Sequence, residues 1–170
     1  LAGLNGTGNA YTLTVSDEDV ATFVSDLLAL NGKTTVSVNV TALDADGTTS
    51  LSGTYTQIKA LFDAAASGDY TGLASDLPIT VTGNISVSQA NEINALTSGA
   101  VTATISTGDM ATLNTLEGSG NAYAVTVTDT SATASDLLAL DGKTTPSVNA
   151  TAVTTLTGSL TDINNVLAAE

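Results

Sequence analysis

An α/β solenoid is the fold this sequence predicts: coils of about 20–26 residues, each giving one strand and one short helix, stack so that the strands form a parallel sheet. Three observations point there. Residues 25–42 (SDLLALNGKTTVSVNVTA) recur at 135–152 (SDLLALDGKTTPSVNATA), matching at fifteen of eighteen positions. Residues 81–96 (VTGNISVSQANEINAL) align with 101–116 (VTATISTGDMATLNTL) at an offset of twenty. An L-x-x-L-x-G ending also returns, as Leu27, Leu30 and Gly32, as Leu113, Leu116 and Gly118, and as Leu137, Leu140 and Gly142. Coils this short cannot bury an apolar face alone, so each must be covered by its neighbours. An all-β parallel solenoid is the alternative.

Each element has its own signal. Alternation such as Tyr123-Ala124-Val125-Thr126-Val127-Thr128 puts apolar side chains on one face at period two, the mark of a half-buried strand. Ser135 and Asp136 then read as helix-starting residues, Leu137, Leu138 and Leu140 as one short helical face, and Gly142 as the stop. Six coils follow, over 11–35, 36–73, 78–99, 100–121, 122–145 and 146–170. The second is irregular. Its insertion DADGTTS at 44–50 reads as a turn, and 54–66 (TYTQIKALFDAAA) as a longer helix with Tyr55, Ile58, Leu61, Phe62 and Ala65 on one side.

A longer repeat contains these coils. NAYTLTVSD at 9–17 returns as NAYAVTVTD at 121–129, and LSGTYTQI from Leu51 returns as LTGSLTDI from Leu156. The larger unit is roughly 105 to 112 residues long. The chain is therefore expected to be a single array over 1–170, with copies at about 1–112 and an incomplete 113–170, and an irregular insertion at about 44–77. It opens and closes in mid-repeat without capping sequences, which leads us to expect adjacent repeats, or further copies of the chain, stacked end to end.

Charge narrows the partners. Three lysines, no arginine, no histidine and seventeen acidic residues among 170 give a net charge of -14, which repels phosphate backbones and anionic membranes, so nucleic acid is not an expected partner. No apolar run is long enough to cross a bilayer, so membrane insertion is not expected either. Hydrophobic residues make up 42%, enough to fold in spite of the charge. Without cysteine there is no disulfide framework and no thiolate metal site.

The same inventory argues against an enzyme, since His, Cys and Arg supply most nucleophile-base pairs, imidazole ligands and oxyanion clamps. GKTT at Gly32 and at Gly142 resembles the end of a phosphate-binding loop, yet Leu27 and Leu137 stand where its first glycine belongs. A helix end with a lysine near its carbonyls is the expected role. Asp44, Asp46 and Gly47 resemble the middle of a calcium loop, but Ala42 and Gly53 occupy its first and twelfth positions. Asp44, Asp46, Asp17 and Asp19 are the weak metal candidates, and calcium is the one ligand they suggest; no cofactor is expected. The sequons at Asn39 and Asn149 occupy equivalent strand positions and suggest a ladder of stacked amides, while the equivalent Tyr11 and Tyr123 read as packing residues.

Strings such as GNAYTLTVSD, SDLLALNGKTT and VTATISTGDMATLNTL resemble the tandem Thr/Ala/Asp-rich arrays of giant secreted, haemolysin-type or adhesin-like cell-surface proteins of cyanobacteria and other aquatic bacteria. The coil is also similar to leucine-rich repeats, although the Asn of their signature is unmatched. The calcium-binding nonapeptide GGxGxDxUx is absent. The resemblance implies an extracellular or cell-surface location. It implies a structural spacer or a self-assembling filament or surface-layer element, with an adhesin module binding calcium, glycan or a surface protein as the alternative.

Overall fold

Strands form where Thr and Val alternate, and short helices where a Ser, Thr or Asp precedes leucines spaced three apart. The computed structural model describes residue 6 and residues 8–16, 21–43 and 49–169. Two compact units contain them, one comprising Leu1–Thr82 with Leu96–Gly99, the other Gly83–Ala95 with Ala100–Glu170.

In the first unit the order is β1 (Ala21–Phe23), α1 (Val24–Asn31), β2 (Val38–Asn39), β3 (Ser50–Gly53), α2 (Tyr55–Ala66), β4 (Tyr70–Thr71) and the start of β5 (Ile79–Ile85). All pairing is parallel: β3 lies between β1 and β5, and β2 pairs with β4. The helix expected at 54–66 forms, and it starts with a capping box in which the Thr54 hydroxyl accepts the Gln57 N–H while the Gln57 side chain accepts the Thr54 N–H. The core is Val24, Leu27, Val38, Leu51, Ile58, Leu61, Leu77 and Ile79, all buried. Burying each contributes about 1.5–3 kcal/mol.

The second unit takes the end of β5 and continues with α3 (Val87–Asn94), β6 (Val101–Ile105), α4 (Met110–Leu113), β7 (Ala122–Ala124), β8 (Ser131–Thr133), α5 (Ala134–Asp141), β9 (Thr155–Thr157) and α6 (Leu160–Ala168). Here β6 lies between β5 and β7, and β8 pairs with β9. The β6–β7 and β8–β9 pairs are also parallel. The twenty-residue sequence offset survives as equivalent buried positions, Ala90 with Met110 and Ile93 with Leu113. The class is thus α/β with parallel strands and, among the described residues, six helices, which sets aside the all-β alternative. The sheets are short and separate, because each strand is only two to seven residues long before the chain turns a corner.

The two copies of the long repeat make the same main-chain bonds. Asn9 bridges Thr34 and Thr14 bridges Asn39, as Asn121 bridges Thr144 and Thr126 bridges Asn149. Asn39 N–H donates to Leu13 C=O and Asn149 N–H to Val125 C=O, each at 2.9 Å. The Thr34 hydroxyl donates to Tyr11 C=O at 2.6 Å and the Thr144 hydroxyl to Tyr123 C=O at 2.7 Å. Gly6 and Gly8, like Gly118 and Gly120, hold positive φ. At Gly118 a β-carbon would also crowd the Asn94 and Asn121 amides.

Several local expectations are corrected. The cap of α5 is Thr133, whose hydroxyl accepts the Asp136 N–H at 3.1 Å, rather than Ser135 or Asp136. Gly142 ends α5 in a right-handed conformation, and the following turn tightens through Lys143 N–H to Leu140 C=O and Thr144 N–H to Asp141 C=O. The Asn39 and Asn149 amides do not stack into a ladder. Each accepts the N–H of the threonine two residues on, at 3.0 and 3.2 Å, closing a local turn that outcompetes stacking because donor and acceptor are already adjacent.

Asn121 does more. It is 2% exposed, its Oδ1 accepts the Val101 N–H and its Nδ2 donates to Asn94 Oδ1, both at 2.8 Å. Truncating it strands a buried N–H, whereas truncating exposed Asn149 leaves its donor in water. Asn121→Ala should therefore cost about 1–3 kcal/mol in urea denaturation, and Asn149→Ala no more than about 1 kcal/mol. Equal losses would contradict the assignment.

Candidate functional site

The four weak metal candidates, Asp17, Asp19, Asp44 and Asp46, lie outside the described residues. Among the described residues no group of three or more acidic, His or Cys side chains could hold a metal ion. The two GKTT segments follow helix ends. Lys143 Nζ donates to Asn114 C=O at 2.6 Å and Leu116 C=O at 2.7 Å, so it serves the carbonyls that follow α4 rather than those of its own helix. Tyr123 is fully buried and its equivalent Tyr11 only partly, with the same main-chain partners.

Among the described residues, the two copies differ along the edge at 37–40 and 147–150. In the first, β4 lies along β2 with Val38 opposite Tyr70 and Asn39 opposite Thr71. Val38 N–H donates to Asp69 C=O and Val40 N–H to Thr71 C=O, each at 2.9 Å. The Tyr70 hydroxyl donates to Leu27 C=O at 2.8 Å, Asn31 Nδ2 to Asp69 Oδ2 at 3.3 Å, and the Ser37 hydroxyl to Gly68 C=O. Val38, Val40, Leu27 and Leu43 are consequently buried. α2 closes the arrangement by packing on α1 and β4.

In the second copy the same edge is residues 147–150, and its other side is bonded as before, Val127 N–H to Asn149 C=O. Nothing among the described residues lies where β4 would lie. The Val148 and Ala150 N–H groups meet no main-chain acceptor there. A groove of about 520 Å³ opens instead, with Leu137, Leu138 and Asp141 on one wall, residues 147–151 and Val153 on another, and Val166 and Ala169 of α6 on the third. Val148, Ala150 and Val153 are only half-buried, and no described side chain of α6 is buried, Leu160 and Leu167 being 77% and 61% exposed.

Chemically the groove offers a main-chain ladder, an apolar floor and a single carboxylate, Asp141. Its lining includes no lysine and no tyrosine. Sequence reasoning did not single it out, since residues 37–41 and 147–151 differ only at Val40 and Ala150.

Tyr70 carries the closed edge, and burial, followed by the charge of Asp69, pushes its hydroxyl up to about 12. Burial alone pushes that of Tyr123 up to about 12 as well, and its oxygen has no partner among the described residues. A folded-state value raised above the unfolded one gives stability that is whole below about pH 10 and lost as pH rises through about 12. Alkaline titration of tyrosinate absorbance should therefore show unfolding within that window, while early ionisation of every tyrosine with the fold intact would contradict it. Tyr70→Phe should cost about 1 kcal/mol and Tyr123→Phe close to nothing in chemical denaturation, because only the first breaks a bond.

Compared with known proteins, the chain matches no family model, no curated protein and no solved structure.

Proposed function

We propose that this chain is a structural repeat segment of a large extracellular or cell-surface bacterial protein, acting as a spacer or as a self-assembling filament or surface-layer element. The observation that carries the reading is that the two long-repeat copies share a set of main-chain and side-chain bonds, from Asn9 and Asn121 to Thr41 and Thr151. A sequence repeated with its hydrogen bonds intact is a building module, in which position along the array matters more than any single side chain. The coils of about 20–26 residues are read as a solenoid, each lending apolar cover to the next.

Charge and inventory support the same reading. A net charge of -14 keeps such arrays soluble and apart from polyanions, and a chain without His, Cys or Arg lacks the usual catalytic groups. Among the described residues no helix is long and apolar enough to cross a membrane. The partners proposed are adjacent repeats or further copies of the chain, stacked end to end.

Negative-stain microscopy with sedimentation at rising concentration tests this. Rods longer than one chain are expected for the assembling form, and separate particles of one length for the spacer. A thermal melt in calcium and in chelator should give the same midpoint within a degree or two; a large calcium-dependent rise would favour the adhesin module instead, since a ligand bound only to the folded state raises its stability.

A further inference from the structure

Residues 25–35 (SDLLALNGKTT) and 135–145 (SDLLALDGKTT) differ at one position, where Asn31-Gly32 stands in the first and Asp141-Gly142 in the second. The helices they form end alike. Gly32 holds φ −64° and ψ −8° after α1, Gly142 holds φ −64° and ψ −10° after α5, and each N–H donates to the leucine carbonyl four residues earlier, at 3.2 and 3.1 Å. A right-handed conformation needs no glycine, and a β-carbon on Gly32 would meet ordinary contacts, the nearest being Ala29 C=O at 3.6 Å. This helix end therefore accommodates aspartate as well as asparagine, and its backbone does not require the glycine.

An asparagine followed by glycine carries a chemistry of its own, because no β-carbon shields the next main-chain nitrogen from the side-chain amide. We propose that Asn31-Gly32 is a deamidation site whose product unfastens the strand pairing beside α1. The Gly32 nitrogen gives up its proton to solvent base and attacks Asn31 Cγ. The Cγ–Nδ2 bond breaks, the amide nitrogen leaves as ammonia, and water opens the resulting succinimide to aspartate or isoaspartate at position 31. Water is the co-reactant. The aspartate product turns residues 25–35 into the sequence of 135–145, a helix end that the fold already contains.

Two bonds restrain the reacting groups in the folded chain. Gly32 N–H is engaged by Leu28 C=O, and Asn31 Nδ2 donates to Asp69 Oδ2 at 3.3 Å. Both lie at a helix terminus where Gly32 and Lys33 are exposed and opening is least costly, so the reaction proceeds through fraying of the last turn of α1. The consequence falls on the segment at 69–71. Deamidation replaces the donor amide by a carboxylate that only accepts and that faces the Asp69 carboxylate, so a tie becomes a like-charge contact. The Asp69 and Thr71 carbonyls accept the Val38 and Val40 N–H groups, which makes those two amides the reporters of the change.

The experiment keeps the whole chain in mildly alkaline buffer, folded and in urea, and follows position 31 by peptide mass mapping that separates aspartate from isoaspartate. Folded protein should lose ammonia there, and urea should speed the loss about tenfold or more. Gly32→Ala should abolish the loss over the same interval in both states while leaving the fold in place. Asn31→Asp should let the Val38 and Val40 amides exchange about two- to tenfold faster than in the parent chain. Adding Asp69→Asn, which again sets one donor against one carboxylate, should return them to the parent rate. A position 31 that stays unmodified in the folded chain overturns the site, and so does a rate that urea or Gly32→Ala leaves unchanged. Exchange at Val38 and Val40 that is indifferent to Asn31→Asp, or not rescued by Asp69→Asn, overturns the unfastening. Asn5-Gly6 shares the dipeptide, but Asn5 lies outside the described residues, and the mapping reads it separately.

Discussion

Parallel main-chain pairing between one strand and the strand about one coil later is the constraint on which the rest of this structure depends. A parallel strand has two edges, and a buried N–H left unpaired on either costs on the order of 1–3 kcal/mol. Each strand is therefore best satisfied with a partner along both edges. Where β4 lies along β2, Val38 and Val40 are buried, whereas the equivalent Val148 and Ala150 are half-buried. Near-identical sequences thus acquire different environments from neighbours alone.

Small polar side chains do the work that disulfides or metals do in other small-core folds. Thr54, Ser86, Asp109, Thr133 and Ser159 each accept an N–H of a helix first turn. At Asp109 the Thr112 N–H, helped by that residue's hydroxyl, holds the carboxyl below its ordinary range. Asn91 uses both ends of its amide, donating to Thr115 C=O and accepting the Glu117 N–H. Such bonds are individually worth about 0.5–1.5 kcal/mol, but they recur at every corner and fix where each short helix starts. Their abundance explains a composition rich in Ser, Thr and Asn that folds without cysteine.

Much of the architecture was legible beforehand. Period-two alternation at 123–128 reappears as buried Tyr123, Val125 and Val127, and a helix forms within 54–66. Helix starts were less legible: α5 begins at Thr133, and α1 starts after Phe23 with no side-chain cap at all. Propensity ranks Ser, Thr and Asp nearly equally as caps, so packing of Ala134 and Leu137 against the core chooses between them. The groove was illegible, because residues 37–41 and 147–151 carry almost the same letters.

By itself the sequence determined class and equivalence: α/β strands and short helices follow from repeated apolar spacing, which is a property of one strand or helix at a time. Tertiary structure decided which of the buried tyrosines Tyr70 and Tyr123 donates a hydrogen bond, and whose carbonyls Lys143 reaches. Those outcomes depend on a residue twenty or more positions away arriving at the right edge, and local spacing carries no record of whether it arrives.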